Sequence, residues 1–206
     1  MKCLIIAAGK GSRLRSLTEA KPLISLKGIP LIDRVIDSAL KAGVDDFYVV
    51  IGYQGTLIRS HLEAVSRAKN ISITIIENEE WERANGVSVL KAKQYLDEPF
   101  FLLMSDHIFD AEIACQLVLQ SSGNKGILLA VDENLGNPFI DMDDVTRVLA
   151  EKSRIQEIGK GIESYNCFDT GIFLCDPALF SAIEKSSEEA GDDSLSGGVR
   201  NLAQEG

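Results

Sequence analysis

Residues 5–22 read IIAAGKGSRLRSLTEAKP, an apolar run that ends in two glycines and a lysine and is followed by Arg13, Arg15 and Lys21. Glycines at such a point let backbone N–H groups approach the oxygens of an anion closely, and Lys10, Arg13 and Lys21 add charge-assisted contacts. The chemistry this favours is the grip of a phosphate group. Spacing excludes two familiar phosphate loops. A P-loop has four residues between its first glycine and its Gly-Lys pair, with Ser or Thr directly after the lysine. A dinucleotide fingerprint has a third glycine where this chain carries Leu14. An ordinary turn between a strand and a helix, with exposed cations, fits the same residues.

Polar groups also interrupt apolar stretches further along. In FFLLMSDHIFD, residues 100–110, Asp106 emerges at the carboxyl end of a strand-like run, the edge at which open α/β sheets collect ligands. A solvated aspartate capping the next turn is the alternative. His107 is either a donor supporting that aspartate or a structural, exposed histidine, and His61 sits on an apolar helical stripe as a core-edge residue. In WERANGVSVL, residues 81–90, Asn85-Gly86 opens a helical segment, where Asn85 either caps the helix or hydrogen-bonds a base or hydroxyls. Asp169-Thr170-Gly171 breaks the strand-like CFDTGIFLC, residues 167–175, for a ligand contact or a simple bulge.

The elements that must hold these groups are legible in the apolar pattern. KCLIIAA, DFYVVI, ISITII, FFLLM and GILLAV are short, rich in β-branched or aromatic residues and bounded by polar ones, as strands buried on both faces are. PLIDRVIDSALKAG places Leu31, Ile32, Val35, Ile36, Ala39 and Leu40 on one helical stripe, with Pro30 suited to the first turn and Gly43 to the C-terminal cap. TLIRSHLEAVSRAKN and DAEIACQLVLQ repeat the period. Alternating strands and helices predict a mainly parallel sheet with right-handed crossovers. Beyond residue 132 the rhythm changes: VTRVLA and RIQEI around EKS predict a hairpin, CFDTGIFLC a further strand and PALFSAIEKS a helix, so the sheet is expected to be mixed. SSEEAGDD is expected to be a charged, weakly structured surface segment.

With 206 residues and 45% hydrophobic content, the chain can bury one sizeable core, which points to one α/β domain. A net charge of -10 argues against a general nucleic-acid surface or an anionic membrane, both of which need a broad positive field. Yet residues 1–28 hold Lys2, Lys10, Arg13, Arg15, Lys21 and Lys27 against Glu19 alone, a local cationic patch suited to a small polyanion. The four cysteines lack C-x-x-C spacing and read as buried thiols of a reducing compartment. No apolar run approaches the roughly 18 residues of a membrane span, and the apolar part of MKCLIIAAG is too short for a signal peptide. A cytoplasmic location is expected.

AAGKGSRL followed by KPL resembles the signature loop of nucleotidyltransferases that join a nucleoside triphosphate to a phosphorylated sugar or alcohol. ENEEWERANGVSVL, LLMSDHIFD, GKGIESYN and FDTGIFLC, in that order across almost the whole chain, resemble segments of CTP:inositol-1-phosphate cytidylyltransferases. The resemblance implies a Rossmann-like three-layer α/β sandwich with a mixed, mainly parallel sheet, in a single domain over 1–206. It implies nucleotide binding by Ala7, Ala8, Gly9, Lys10, Gly11, Ser12, Arg13, Asn85, Gly86 and Ser105, and catalysis by Arg13, Lys21, Asp106 and Lys160. Asp106 would hold Mg²⁺, and Lys160, Glu163, Asp169, Thr170 and Gly171 would face the acceptor. CTP and a phosphorylated polyol are the implied partners, with a homodimer left open. Relatives are often fused to a membrane-bound phosphotransferase that consumes the CDP-alcohol. They also carry a second metal-binding aspartate in a C-terminal acidic segment, which does not occur before Gly206. Either a C-terminal segment is missing from this sequence, or another carboxylate such as Asp132 substitutes, or metal binding is impaired.

A phosphate monoester is already an anionic nucleophile near neutral pH, since its second pKa is about 6. The expected reaction is therefore in-line attack of the acceptor phosphate on the α-phosphorus of CTP without a general base, with pyrophosphate leaving. Two rivals stay open. One is transfer to another acceptor, choline phosphate or a sugar 1-phosphate, for which Trp81 and Tyr165 would offer aromatic faces. The other is a non-catalytic nucleotide-binding module.

Overall fold

The computed structural model describes residues 1–11, 20–121 and 126–205. After β1 (Lys2–Ala7), a 3-10 turn over Lys21–Leu23 leads to a small ribbon of β2 (Ser25–Leu26) and β3 (Ile29–Pro30). Then come α1 (Leu31–Lys41), β4 (Asp46–Ile51), α2 (Gly55–Lys69), β5 (Ser72–Glu77), α3 (Asn85–Leu90) and β6 (Phe100–Met104). The second half holds α4 (Ala111–Gln120), β7 (Ile127–Asp132), β8 (Arg147–Glu151), β9 (Arg154–Gly159), β10 (Cys167–Cys175), α5 (Ala178–Ala190) and α6 (Leu195–Glu205).

The main sheet runs β5-β4-β1-β6-β10-β8-β9, with β7 also on β10. The first four strands are parallel, and β10 turns antiparallel against β6. This is the expected mixed, mainly parallel sheet. Alternate residues of β1 go to opposite sides: Cys3, Ile5 and Ala7 meet α1, α2 and α4, while Leu4 and Ile6, with Ala8 just past the strand, face α3, α5 and α6. The same alternation in β4, β6 and β10 builds two cores and a three-layer sandwich. Phe47, Phe100, Phe101 and Phe173 are fully buried there, each stabilising the fold by about 1.5–3 kcal/mol relative to exposure.

β7 follows β10 on both sides of a bulge between Asp169 and Phe173. β6 and β8 then share the other edge of β10, β6 along 172–175 and β8 at 167–168. The β8–β9 hairpin therefore continues the sheet past the carboxyl end of β6. Its two-residue turn sets Lys152 and Ser153 in left-handed conformation, which suits the twist of a tight hairpin.

The C-terminal part departs from expectation. Residues 186–190, read as weakly structured, continue α5, and Gly191 ends it in the left-handed conformation. Ser186 is buried, because α6 packs across it. α6 itself carries no strong local helix signal, since Gly197 and Gly198 disfavour a helix. A Cβ on Gly197 would strike the Ser186 hydroxyl and one on Gly198 the Ile183 side chain, so the glycines let α6 lie directly on α5.

Candidate active site

β1 and β6 are adjacent and parallel, so their carboxyl ends open together, and the Ser105 N–H donates to the Ile6 carbonyl at 3.1 Å. A cleft of about 210 Å³ lies at this edge. Ile6, Ala7, Gly9 and Gly11 line it from the end of β1, Lys21 and Pro22 from the 3-10 turn, and Ser105 and Asp106 from the end of β6. Trp81, Arg83, Asn85 and Ser88 form the remaining wall. Lys21 and Asp106 meet as an ion pair inside the cleft, both side chains largely covered.

Gly11 explains why Lys21 reaches that point. Its φ is +61°, and a Cβ there would lie 2.8 Å from Lys21 Cδ and 2.9 Å from Lys21 Cβ. Only glycine lets the lysine stem lie against the loop. Among the described residues nothing stands within 4 Å of where a Gly9 Cβ would be, and Gly9 lines the cleft. Gly52, at the end of β4, makes room for Trp81, whose Cβ would be 2.5 Å from an added Cβ.

Other expected site residues are placed differently. Ser12 and Arg13 lie outside the described residues. Ala8 is buried and its carbonyl accepts from Tyr53 N–H at 2.9 Å, so it does not face the cleft. The Lys10 ammonium stands over the Tyr53 ring, 5.5 Å from its centroid. Asn85 lines the cleft, yet it caps neither its own helix nor any loop nearby: its Oδ1 accepts from Leu195 N–H at 2.9 Å, satisfying the start of α6. Gly86 is buried, and a Cβ would strike the Asp193 carbonyl, so its close approach is to the backbone before α6 rather than to the cleft.

Lys160 and Glu163 are exposed and do not line the cleft. Lys160 Nζ is 2.6 Å from Asp144 Oδ1. Asp169-Thr170-Gly171 is the β10 bulge, tied to the loop after β6 by His107, whose Nδ1 stands 2.7 Å from the Thr170 carbonyl. Gly171 has φ +74°, and a Cβ would strike His107. Thr170 Oγ1 donates to the Ala130 carbonyl at 2.6 Å, and Gly171 N–H donates to Asp169 Oδ1 at 2.7 Å. Burial pushes the Asp169 carboxyl up to about 6, against the pull of the Gly171 N–H and the neighbouring His107. His107 Nε2 lies 3.8 Å from Asp106 Oδ1, so one histidine joins the bulge to the cleft. His61 Nε2 is 2.6 Å from Asp33 Oδ1, bridging α2 and α1 as a core-edge residue.

Sequence reasoning passed over Ser88, Arg83 and Asn78. Arg83 is held by Asp193 and Glu80, at 2.8 and 2.6 Å. Ser88 lines the cleft, and its hydroxyl accepts from the buried Asn78 side-chain amide at 2.9 Å. Nothing in the sequence marks them out, since only the chain's return through α3 brings Asn78 and Ser88 together and buries them.

The sequence matches the MobA-like NTP transferase domain over residues 3–195. The chain belongs to this family. As an NTP transferase domain it is 34% identical over 194 residues to a "Bifunctional IPC transferase and DIPP synthase" of Rubrobacter xylanophilus, covering 93% of this chain and 42% of that protein. A protein of the same name from Aquifex aeolicus is 32% identical over 90% of this chain and 41% of its own length. The chain thus spans about two-fifths of these curated relatives. Among solved structures, the inositol-1-phosphate CTP transferase from T. maritima superposes with a TM-score of 0.84 at 29% identity, over 100% of this chain and 82% of that one.

Among the described residues, no three His, Cys, Asp or Glu side chains converge as a metal site. Asp132, at the end of β7, accepts from Asn134 N–H at 2.9 Å, a local turn contact. Among the described residues, Asp106 is the one carboxylate that lines the NTP transferase cleft. That donor set fits Mg²⁺, which commonly takes one or two carboxylates and completes its shell with substrate phosphates and water.

Proposed function

We propose that this chain transfers a cytidylyl group from CTP to inositol 1-phosphate, giving CDP-inositol and pyrophosphate. The convergence of Lys21 on Asp106, in the cleft that Gly9 lines, carries the reading. Membership of the NTP transferase family and similarity to the T. maritima inositol-1-phosphate CTP transferase support the choice of substrates.

Lys21 is held against Gly11, so a phosphate oxygen entering beside Asp106 meets a cation whose position is already set. Preorganised charge of this kind is what phosphoryl and nucleotidyl transfer need, since little covalent work falls to the protein. The acceptor phosphate supplies its own anionic oxygen, and the chain's task is to place it in line with the α-phosphorus. Gly9, Gly11 and Arg13 would bind the triphosphate, and Ser105 would orient it from the end of β6. Lys160 would exchange Asp144 for the acceptor phosphate, while Glu163 and the Asp169–Gly171 bulge would face the acceptor hydroxyls. Asp106 would hold Mg²⁺, which when bound neutralises phosphate charge as a Lewis acid. Residues 1–206 would act as one nucleotidyltransferase domain, and its free cysteines, three of them buried, support a cytoplasmic site. No helix among the described residues is long and apolar enough to cross a membrane.

The test is pyrophosphate release with Mg²⁺, each of CTP, UTP, dTTP and ATP, and a panel of inositol, sugar and choline phosphates. Release with CTP and inositol 1-phosphate is expected. Nucleotide binding without release in any combination would overturn the catalytic reading.

A further inference from the structure

We infer that His107 is a positioning residue that couples the acceptor side of the site to its metal side: with the Asp169–Gly171 bulge occupied, the imidazole holds Asp106 for the divalent cation, so that acceptor and cation each tighten the other's binding. The inference rests on the reading proposed above and specifies how its two halves communicate.

Among the described residues, the ladder between β6 and β10 ends at Leu103 and Ile172, so the bulge has left β6 near the edge where the cleft opens. His107 spans that gap. Its backbone N–H turns back to the Met104 carbonyl at 3.4 Å, and its ring reaches across to Thr170, with Nδ1 2.7 Å from the carbonyl oxygen. A carbonyl can only accept, so Nδ1 carries a proton and donates. Gly171 leaves the ring little slack, since at its φ of +74° an added Cβ would strike both Nδ1 and Cε1. The bulge is pinned from behind as well, where Thr170 Oγ1 donates to the Ala130 carbonyl of β7 at 2.6 Å.

The far edge of the same ring faces Asp106. Oδ2 of that carboxylate pairs with Lys21, and Oδ1 lies 3.8 Å from His107 Nε2. That separation exceeds a hydrogen bond, so the ring bounds the carboxylate on one side as Lys21 bounds it on the other. Lys21 is set by its packing on Gly11, whereas His107 is set by a bulge that, on the reading above, faces the acceptor. An acceptor settled on the bulge fixes the Thr170 carbonyl, and with it the ring and the range of positions open to Asp106. Ordering done by one ligand need not be done again by the next, so acceptor and cation bind cooperatively. Such coupling is reciprocal and is commonly about 5- to 150-fold.

Calorimetry reads this coupling without turnover. Inositol 1-phosphate is titrated into the protein saturated with a non-hydrolysable CTP analogue, once with Mg²⁺ and once with EDTA in its place, and the ratio of the two affinities is the coupling. About fivefold or more is expected in the wild type. His107→Asn keeps a donor for the Thr170 carbonyl but has no atom at the Nε2 position, while His107→Gln carries its amide toward Asp106 and gives up the Thr170 contact. In both variants, shown to be folded by thermal melts, the ratio should fall below about twofold. Because the ratio is taken within each variant, a general loosening of the bulge weakens both titrations and leaves it unmoved. An acceptor phosphate that simply touched the cation would keep the wild-type ratio in both variants, and that result overturns the inference while leaving the reading above standing. A wild-type ratio near one does the same. A wild type that binds neither the CTP analogue nor inositol 1-phosphate overturns both.

Discussion

Replacing Lys21 by Met tests the centre of the proposed reaction, because methionine keeps an unbranched stem against Gly11 and removes only the charge. In the folded chain the Lys21 ammonium pairs with Asp106, and the two side chains keep 31% and 19% of their accessibility. A partly hydrated pair of this kind contributes about 0–1 kcal/mol to stability. For a chain near 200 residues, about 1 kcal/mol corresponds to about 2–4 °C in Tm. The loss in the transition state is larger, since charge on the α-phosphate oxygens and leaving pyrophosphate builds where the ammonium stands. Removing one preorganised contact to such charge costs about 2.7–4 kcal/mol, or about 10²–10³ in rate. Pyrophosphate release at saturating CTP and inositol 1-phosphate gives the rate, and thermal unfolding gives the stability. Because the contact strengthens along the reaction, kcat and kcat/KM should fall together. A variant that melts normally and turns over within about threefold of wild type, against the expected magnitude, would refute the assignment of Lys21.

Three further outcomes follow from the packing. Asp169→Asn should raise stability at pH 8 by about 3 kcal/mol; burial pushes the wild-type carboxyl up to about 6 in the fold, so its charged form is penalised as pH rises through that value. The advantage should vanish below about pH 4, where both folded and unfolded wild type are protonated; melts that differ equally at pH 4 and pH 8 would contradict it. Asn85→Ala leaves the Leu195 N–H without its acceptor and should lower stability by about 1–3 kcal/mol, measured by denaturant unfolding. Gly86→Ala drives a Cβ into the Asp193 carbonyl and should cost about 1–3 kcal/mol; an unchanged unfolding midpoint would show that the backbone before α6 yields freely.

What the chain determines locally was legible from its residues. Apolar runs buried on both faces and stripes of period 3.6 set the strands and helices, because each depends on neighbours within a few residues. The glycine loop and Asp106 were placed at the same sheet edge by the same logic: both follow parallel strands, and parallel strands end together. Tertiary packing decided the rest. Asn85 takes a partner 110 residues away, α6 folds over two glycines because α5 lies beneath it, and residues 186–190 stay helical for the same reason. Lys160 stands beside Asp144, and His107 ties the β10 bulge to the end of β6. Local pattern specifies which backbone forms; it carries no record of which buried donor will face which acceptor once distant segments close on one another, and that pairing sets the chemistry of the cleft.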